Sequence, residues 1–345
     1  MKIVSGSAPA KKVAQLVSIL IPAYNADRWI ADSIKSALDQ TWPRKEIIVV
    51  DDGSSDDTLR LARRFESASL KVLSQENRGA SAARNLALSH AQGSYIQWLD
   101  ADNLLAPDKI SRQLSNARAE NKLLLLSSAW GSFFYRPDKT EFLPTALWAD
   151  LTPLEWIYTK LNGNIFMIPE SWLVSRELTE AARPWDERLS LDDDGEYFTR
   201  VIRHCERIRF IPEAQSFYRC GNSGSLSSVV KRPDKKLQSQ FSSIRSQVGI
   251  LLSMEESKRT RAACVKYLQD SFFYFYPDNM ELVTKAQDMA RNLGGELLLP
   301  RLGWKYAWIK ELFGWKIAKN VCFSIPGIKT ALKMNYCRLL DKFCV

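Results

Sequence analysis

From residue 16 to about residue 130 the chain alternates short apolar runs with amphipathic stretches, and few architectures accommodate that order. LVSILIP is a continuous apolar run of strand length, and in DRWIADSIKSALDQ after it Trp29, Ile30, Ile34, Ala37 and Leu38 recur at helical spacing. KEIIVVDDGS and DDTLRLARRFES repeat the pair. LKVLSQ with GASAARNLALSHAQG and SYIQWLD with APDKISRQLSNARAEN continue it, and KLLLLSS supplies a fifth strand. Pro107 falls in the first turn of the fourth helix, where its missing N–H has no intrahelical partner to lose. Strands apolar along their whole length belong to a sheet covered on both faces, and strand–helix alternation makes that sheet mostly parallel. The expected fold class is α/β, with helices on both faces of the sheet.

In such sheets ligands bind beyond the carboxyl ends of the strands. Three strands end there in polar groups: PAYN after the first, DDGS after the second and DAD after the fourth. Asp100 and Asp102, one residue apart, repel each other unless a cation sits between them. Taken singly, DDGS is equally a turn and helix cap, and DAD equally an acidic turn. Their meeting at one edge marks that edge as the site. Neither GxGxxG nor GxxxxGK[ST] follows the first strand, so the glycine-rich phosphate cradles are absent. A Mg or Mn ion bridging Asp100 and Asp102 to a diphosphate would serve instead, because hard cations take oxygen ligands.

Composition narrows the function classes. A chain of 345 residues, 46% hydrophobic, can bury a large core. Its net charge of +9 suits an anionic ligand, a nucleic acid or an anionic membrane surface. No nucleic-acid-binding module is recognisable, so no nucleic-acid partner is expected. Six cysteines without CxxC spacing and only two histidines exclude a zinc site and fit reduced thiols in a cytoplasmic protein. No run of 18 apolar residues occurs, so no spanning helix is expected. Residues 1–15 lack the apolar core of a signal peptide and are expected to be a flexible segment.

Three blocks taken together are far more specific than any one of them. VSILIPAYNADRWIADSIKSALDQTWPRKEIIVVDDGSSDDT, ENRGASAARNLAL and GSYIQWLDADN closely resemble, in order and spacing, the family 2 glycosyltransferases of the GT-A fold. The likeness covers roughly residues 16–230. It implies a Rossmann-like domain that moves a sugar, with inversion, from a nucleotide-diphosphate donor, UDP being the expected nucleotide. The implied acceptor is a hydroxyl of a glycan or lipid-linked molecule in cell-surface polysaccharide synthesis, and the implied cofactor is Mn or Mg. By the same resemblance, Pro22, Ala23, Tyr24 and Asn25 would line the base and ribose. Asp52, with Asp51 beside it, would accept a hydrogen bond from a uracil-like base. Asn77, Arg78 and Gly79 would lead to a helix carrying Arg84, near the base and phosphates. Asp100, Ala101 and Asp102 would be the DxD motif, with Asp100 and Asp102 on the metal and Asp102 its more direct ligand.

A second acidic cluster lies in LSLDDDGEYFTRVI, where four acids fall within five residues. Such repulsion is relieved in part at a helix N-terminus, so a plain acidic cap is one reading. The resemblance, aligned on Phe198 and Arg200, instead gives the catalytic base to the pair Asp193 and Asp194, with Asp194 as base. Asp192 and Glu196 would cap or orient. The segment ESWLVSRELTEAARPWDERLSL resembles the family's acceptor side, making Trp172 and Trp185 candidate sugar platforms or, equally, core residues. FYRCGNSGSLSS resembles a loop that closes over the diphosphate. The histidine that many relatives carry there is missing near Gly221 and Asn222, and Arg219 would supply the charge.

The catalytic domain is expected over 16–235 and a helical region with a basic amphipathic tail over 236–345. Between Gly295 and Val345 nine Lys and Arg face three acids, interleaved with Trp and Phe. That pattern suits an interfacial helix on anionic lipid at the inner face of the cell membrane, or a helix docked on the catalytic domain. Two other function classes stay open at this point. One is a non-catalytic nucleotide-binding or scaffolding relative. The other is a nucleotidylyltransferase, whose glycine- and arginine-rich first loop is missing.

Overall fold

The computed structural model describes residues 14–116, 122–221, 233–300, 302–303, 306–322 and 324–325. The expected N-terminal segment through residue 13, the loop 222–232 with Asn222, and the tail beyond 325 lie outside these residues. The first elements are β1 (Val17–Ala23), α1 (Ile30–Leu38), β2 (Lys45–Asp51), α2 (Thr58–Arg63), β3 (Leu70–Ser74), α3 (Ala80–His90) and β4 (Tyr95–Trp98). Next come β5 (Leu104–Leu105), α4 (Lys109–Asn116), β6 (Leu124–Phe133), β7 (Glu141–Phe142), α5 (Pro153–Gly163), β8 (Val174–Ser175) and α6 (Arg176–Ala182). The chain continues through α7 (Asp193–His204), β9 (Arg207–Arg219), α8 (Asp234–Met254), α9 (Lys258–Phe275) and α10 (Met280–Asn292).

The first sheet has the order β3-β2-β1-β4-β8, parallel except for β8. All seven residues of β1 are buried, as its unbroken apolar run requires. Alternate side chains go to opposite faces. Ile19, Ile21, Ile47 and Val49 pack with Ile30, Ile34 and Ala37 of α1 and Ala62 of α2. Leu20, Ile48, Val50, Ile96 and Trp98 pack on the other side with Ala83 and Ala87, whose small size lets α3 lie close to the sheet. The chain steps outward from β1 through β2 to β3, then returns to place β4 on β1's other side. That reversal opens a crevice beyond the carboxyl ends of β1 and β4.

The fifth apolar run departs from the expected arrangement. β6 joins a second sheet, β5-β9-β6-β7, running parallel to β9 from Leu124↔Arg207 to Phe133↔Arg219. The edge of β4 is already taken by β8 in antiparallel register, Tyr95↔Ser175 and Ile96↔Val174. A bridge between Leu126 and Leu173 links β6 to the residue before β8. This second sheet carries the end of β9, and with it Arg219, to the loop after β4.

Helices α8, α9 and α10 continue the chain as a packed appendage. Leu237, Phe241, Ile244, Leu268 and Phe272 belong to the same buried cluster as Leu20 and Trp98. α8 lies against α7, which bears the second acidic cluster. Among the described residues, no helix is long and apolar enough to cross a membrane.

Candidate active site

The two acidic clusters meet through one side chain. The Arg84 guanidinium donates to Asp100 Oδ1 at 2.9 Å and to Asp193 Oδ2 at 2.7 Å. Arg84 is buried, which works against its charge, but Asp100 and then Asp193 outweigh that and hold the guanidinium protonated above its ordinary range. Its guanidinium carbon lies 4.4 Å from the centre of the Trp185 ring. Ser81, one turn earlier on α3, donates to the same Asp193 oxygen at 3.1 Å. Asn85 holds the Trp185 backbone at both its N–H and its carbonyl. Ser81, Arg84 and Asn85 share one helix face, the i, i+3, i+4 relation that the SAARN motif already contains.

Asp194 sits in the first turn of α7, its Oδ1 accepting from the Gly195 N–H at 2.8 Å. It is only partly open to solvent, and dense packing raises its carboxyl pKa first of all. Asp193 and Asp192 add like charge, Arg84 opposes them, and the net position is pushed up to about 7. Asp192 and Glu196 are both held by α8. Asp192 precedes the helix at φ 57° and accepts from Ser243 and Gln247 of α8, at 2.7 and 2.8 Å. A Cβ on Gly195 would fall 2.2 Å from that Asp192 carboxylate, so the DDDG turn needs glycine there. Glu196 clamps Arg200 and accepts from Ser246. The long α8 thus holds the acidic turn from behind.

At the end of β4, Asp100 is backed by a residue that the motif reading passed over. Glu170 is wholly buried and accepts from the Asp100 N–H at 2.7 Å and from Asn103 at 3.0 Å. Burial, and then Asp100, push the Glu170 carboxyl up to about 8. Its Oε2 is buried without a hydrogen-bond partner. Glu170 has no local sequence signal, because it reaches Asp100 across 70 positions. Arg219 Nε donates to the carbonyl of Asp102 at 2.8 Å, and the Arg219 N–H donates to Asn103 Oδ1. The Arg219 guanidinium carbon lies 4.2 Å from the centre of Trp29's ring and 4.6 Å from that of Phe133. Burial lowers its pKa, against the attraction of Asp32 and Asp102.

Beyond β1 and β2 the loops brace each other. Asn25, at φ 47°, accepts from the Ser55 N–H, and its own N–H donates to Ser54. Pro22 and Ala23 are buried, and Tyr24 stands exposed beside them. Asp52 is buried, and its carboxylate accepts from Gln75, from the Arg78 N–H and from the Gly79 N–H at 2.7–2.9 Å. It positions the loop 75–79. Asp51 accepts from the Ser54 N–H, while its Oδ1 is buried without a partner. Gly53, at φ 71°, allows the two loops to close, since a Cβ there would lie 2.8 Å from the Asn77 nitrogen. Arg78 is exposed and pairs with Glu187.

The two tryptophans are corrected to core residues. Trp172 is completely buried, stacked on Phe198 and edge-on to Trp156. Trp185 is 2% exposed and stacked on Tyr197 at 4.0 Å between ring centres. Neither has an open face for a sugar. Their apolar bulk fills the space between β4, α6 and α7.

Asp100 and Asp102 offer hard carboxylate oxygens of the kind that Mg and Mn prefer. Among the described residues no group of three or more His, Cys, Asp or Glu converges to hold a metal by itself. The donor chemistry fits a cation that completes its shell with ligand oxygens.

The profile of Glycosyl transferase family 2 matches residues 18–181. An uncharacterized glycosyltransferase, EpsJ of Bacillus subtilis, is 30% identical over 238 residues, covering 66% of this chain and 67% of that protein. The chain belongs to glycosyl transferase family 2. WfgD of Escherichia coli, named as a UDP-Glc:alpha-D-GlcNAc-diphosphoundecaprenol beta-1,3-glucosyltransferase, is 43% identical over 101 residues, 29% of this glycosyltransferase and 40% of WfgD. Among solved structures, residues 1–349 of S. aureus TarS with UDP-GlcNAc superpose with a TM-score of 0.63 at 18% identity, covering 79% of this chain and 80% of that one. The mannosyltransferase PcManGT of Pyrobaculum calidifontis, with GDP-Man and Mn2+, gives 0.54 at 17% identity, covering 93% and 87%. These establish the GT-A fold for this glycosyltransferase, with helices appended at its C-terminal end.

Proposed function

We propose that this glycosyltransferase transfers a hexose, with inversion, from a UDP-sugar to a hydroxyl of a glycan or lipid-linked acceptor in cell-surface polysaccharide synthesis. The observation that carries the reading is Arg84, which ties Asp100 of the DxD motif to Asp193 of the second acidic cluster. Donor-side and acceptor-side carboxylates are therefore held a guanidinium's width apart. Asp194 accepts the proton of the attacking hydroxyl, and its pKa near 7 keeps it basic and ionisable at neutral pH. The acceptor oxygen bonds to the anomeric carbon as the bond to the diphosphate oxygen breaks, and nucleoside diphosphate leaves on the opposite face. Tyr24 offers a ring to the base, with Pro22, Ala23 and Asp51 behind it. Asp100 and Asp102 would hold Mn or Mg, which when bound supplies positive charge to the departing diphosphate.

The relatives support this reading in kind: TarS was solved with UDP-GlcNAc, PcManGT with Mn2+, and WfgD is named for a UDP donor and a lipid-diphosphate acceptor. A non-catalytic relative would have no use for a partly open carboxylate poised near neutrality beside Arg84. The test is a thermal-shift screen of nucleotide sugars with and without Mn, followed by NMR of the product formed with the donor that binds. One UDP-sugar should raise the melting point only with Mn and yield the inverted anomer. Stabilisation by no nucleotide sugar, or a retained anomer, would overturn the proposal.

A further inference from the structure

Beyond α10 the chain forms a helix over 306–322, bent at Gly314, whose φ is +80°. Its second half is anchored on the turn between α9 and α10. The Lys319 ammonium donates to the carbonyls of Tyr274 and Tyr276 and to Asp278, at 2.8, 2.9 and 2.6 Å. Trp315 meets Tyr276 edge-on, and Ala318 is fully buried. These contacts fix the helix to the body of the protein.

The same element leaves large apolar side chains in water. Leu312, Phe313 and Ile317 are 70%, 58% and 47% exposed, and Trp308 beside them is 57% exposed. Leu298 and Leu299, just upstream, are exposed as well. Scattered exposed leucines need no explanation, but a run of them on one fixed element marks an interaction surface. Lys310 and Lys316 are interleaved with them, and the sequence from Gly295 to Val345 carries nine cations against three acids. Aromatic and aliphatic side chains among lysines suit the interface of a bilayer whose headgroups are negative.

We propose that Leu298, Leu299 and the helix over 306–317 form a seat for an anionic phospholipid surface, with Leu312 and Phe313 entering the headgroup–acyl boundary and Lys310 and Lys316 meeting phosphate. The anchored half ties that seat to α9 and α10, which share the core of the catalytic fold. The inference concerns where the enzyme works and stands whether or not the proposed donor is right.

The test uses the full chain and sedimentation with large vesicles, either phosphatidylcholine alone or phosphatidylcholine with about one third phosphatidylglycerol. The protein should pellet with the anionic vesicles, and binding should fall on adding salt. The double variant Leu312→Ser, Phe313→Ser should lose about tenfold in partitioning, with unchanged circular dichroism and unchanged thermal midpoint. Equal pelleting of wild type and variant, or no preference for anionic vesicles, would overturn the proposal. So would a dimer of the wild type in analytical ultracentrifugation that the double variant dissolves, since a second copy would then be the occupant.

Discussion

Arg84 stands between Asp100 and Asp193, its guanidinium 2.9 Å from one carboxylate and 2.7 Å from the other. Because the two acids belong to different clusters, about 90 positions apart, this fork fixes how the end of β4 faces α7. A lysine would keep the charge but could not span both acids with fixed geometry. Arg84→Lys is expected to lower kcat/KM for transfer about 100-fold, the scale of a roughly 1 Å misplacement. Arg84→Met should cost about 3 kcal/mol of stability as well, because two acids lose their shared cation. Steady-state kinetics and urea unfolding of both variants check this.

With the Asp194 carboxyl pushed up to about 7, its proposed role as base would make transfer pH-dependent in a definite direction. A base must be ionised, so kcat/KM should rise with pH through about 7 and level off above it. The stability effect runs the other way. Between 3.8 and about 7 the native carboxyl keeps a proton that the unfolded chain has released, so stability falls as pH rises through that window. Asp194→Asn should flatten that part of the stability profile, as followed by thermal unfolding from pH 4 to 8. A kcat/KM independent of pH between 5.5 and 8 would exclude Asp194 as the base.

Trp172 and Trp185 are core residues, and their variants should behave as such. Trp172→Ala is expected to cost about 3–5 kcal/mol, the range for removing a large buried aromatic. Trp172→Phe, which keeps a ring against Phe198, should recover most of that, with the acceptor KM unchanged. A raised acceptor KM in a fully stable Trp172→Phe protein would return the residue to the acceptor site.

The alternation of the first hundred residues was enough to predict the parallel sheet, because β1, β2 and β4 are buried on both faces and carry no competing pattern. The edge that bears the site was legible for the same reason. The assignment of β6 was not, since an apolar run says nothing about which neighbour it pairs with, and β8, only two residues long, took the edge of β4. The tryptophans show a different limit. Their type suited a ligand site, but whether a ring face is already used depends on contacts from Phe198 and Tyr197. Glu170 was invisible because nothing near it in sequence reports the Asp100 N–H that it holds.

Glu170 supports the DxD turn through one oxygen, which receives both the Asp100 N–H and Asn103. Glutamine can keep both bonds through its amide carbonyl, whereas alanine leaves a cavity and two orphaned donors. Glu170→Gln should therefore keep transfer within about threefold of wild type, and Glu170→Ala should lose about 2–4 kcal/mol of stability. Chemical unfolding and initial rates at one metal concentration separate the two.

The claim on which the rest depends is that Asp194 takes the acceptor's proton while the donor is held elsewhere, by the edge of β1, β2 and β4. Single-turnover transfer and donor affinity, measured together in Asp194→Asn, test it most directly. Asp194→Asn should leave the donor Kd unchanged, within about twofold, and lower the transfer rate by about 10³-fold or more, in line with loss of a general base. Transfer at the wild-type rate with the donor bound normally would contradict it.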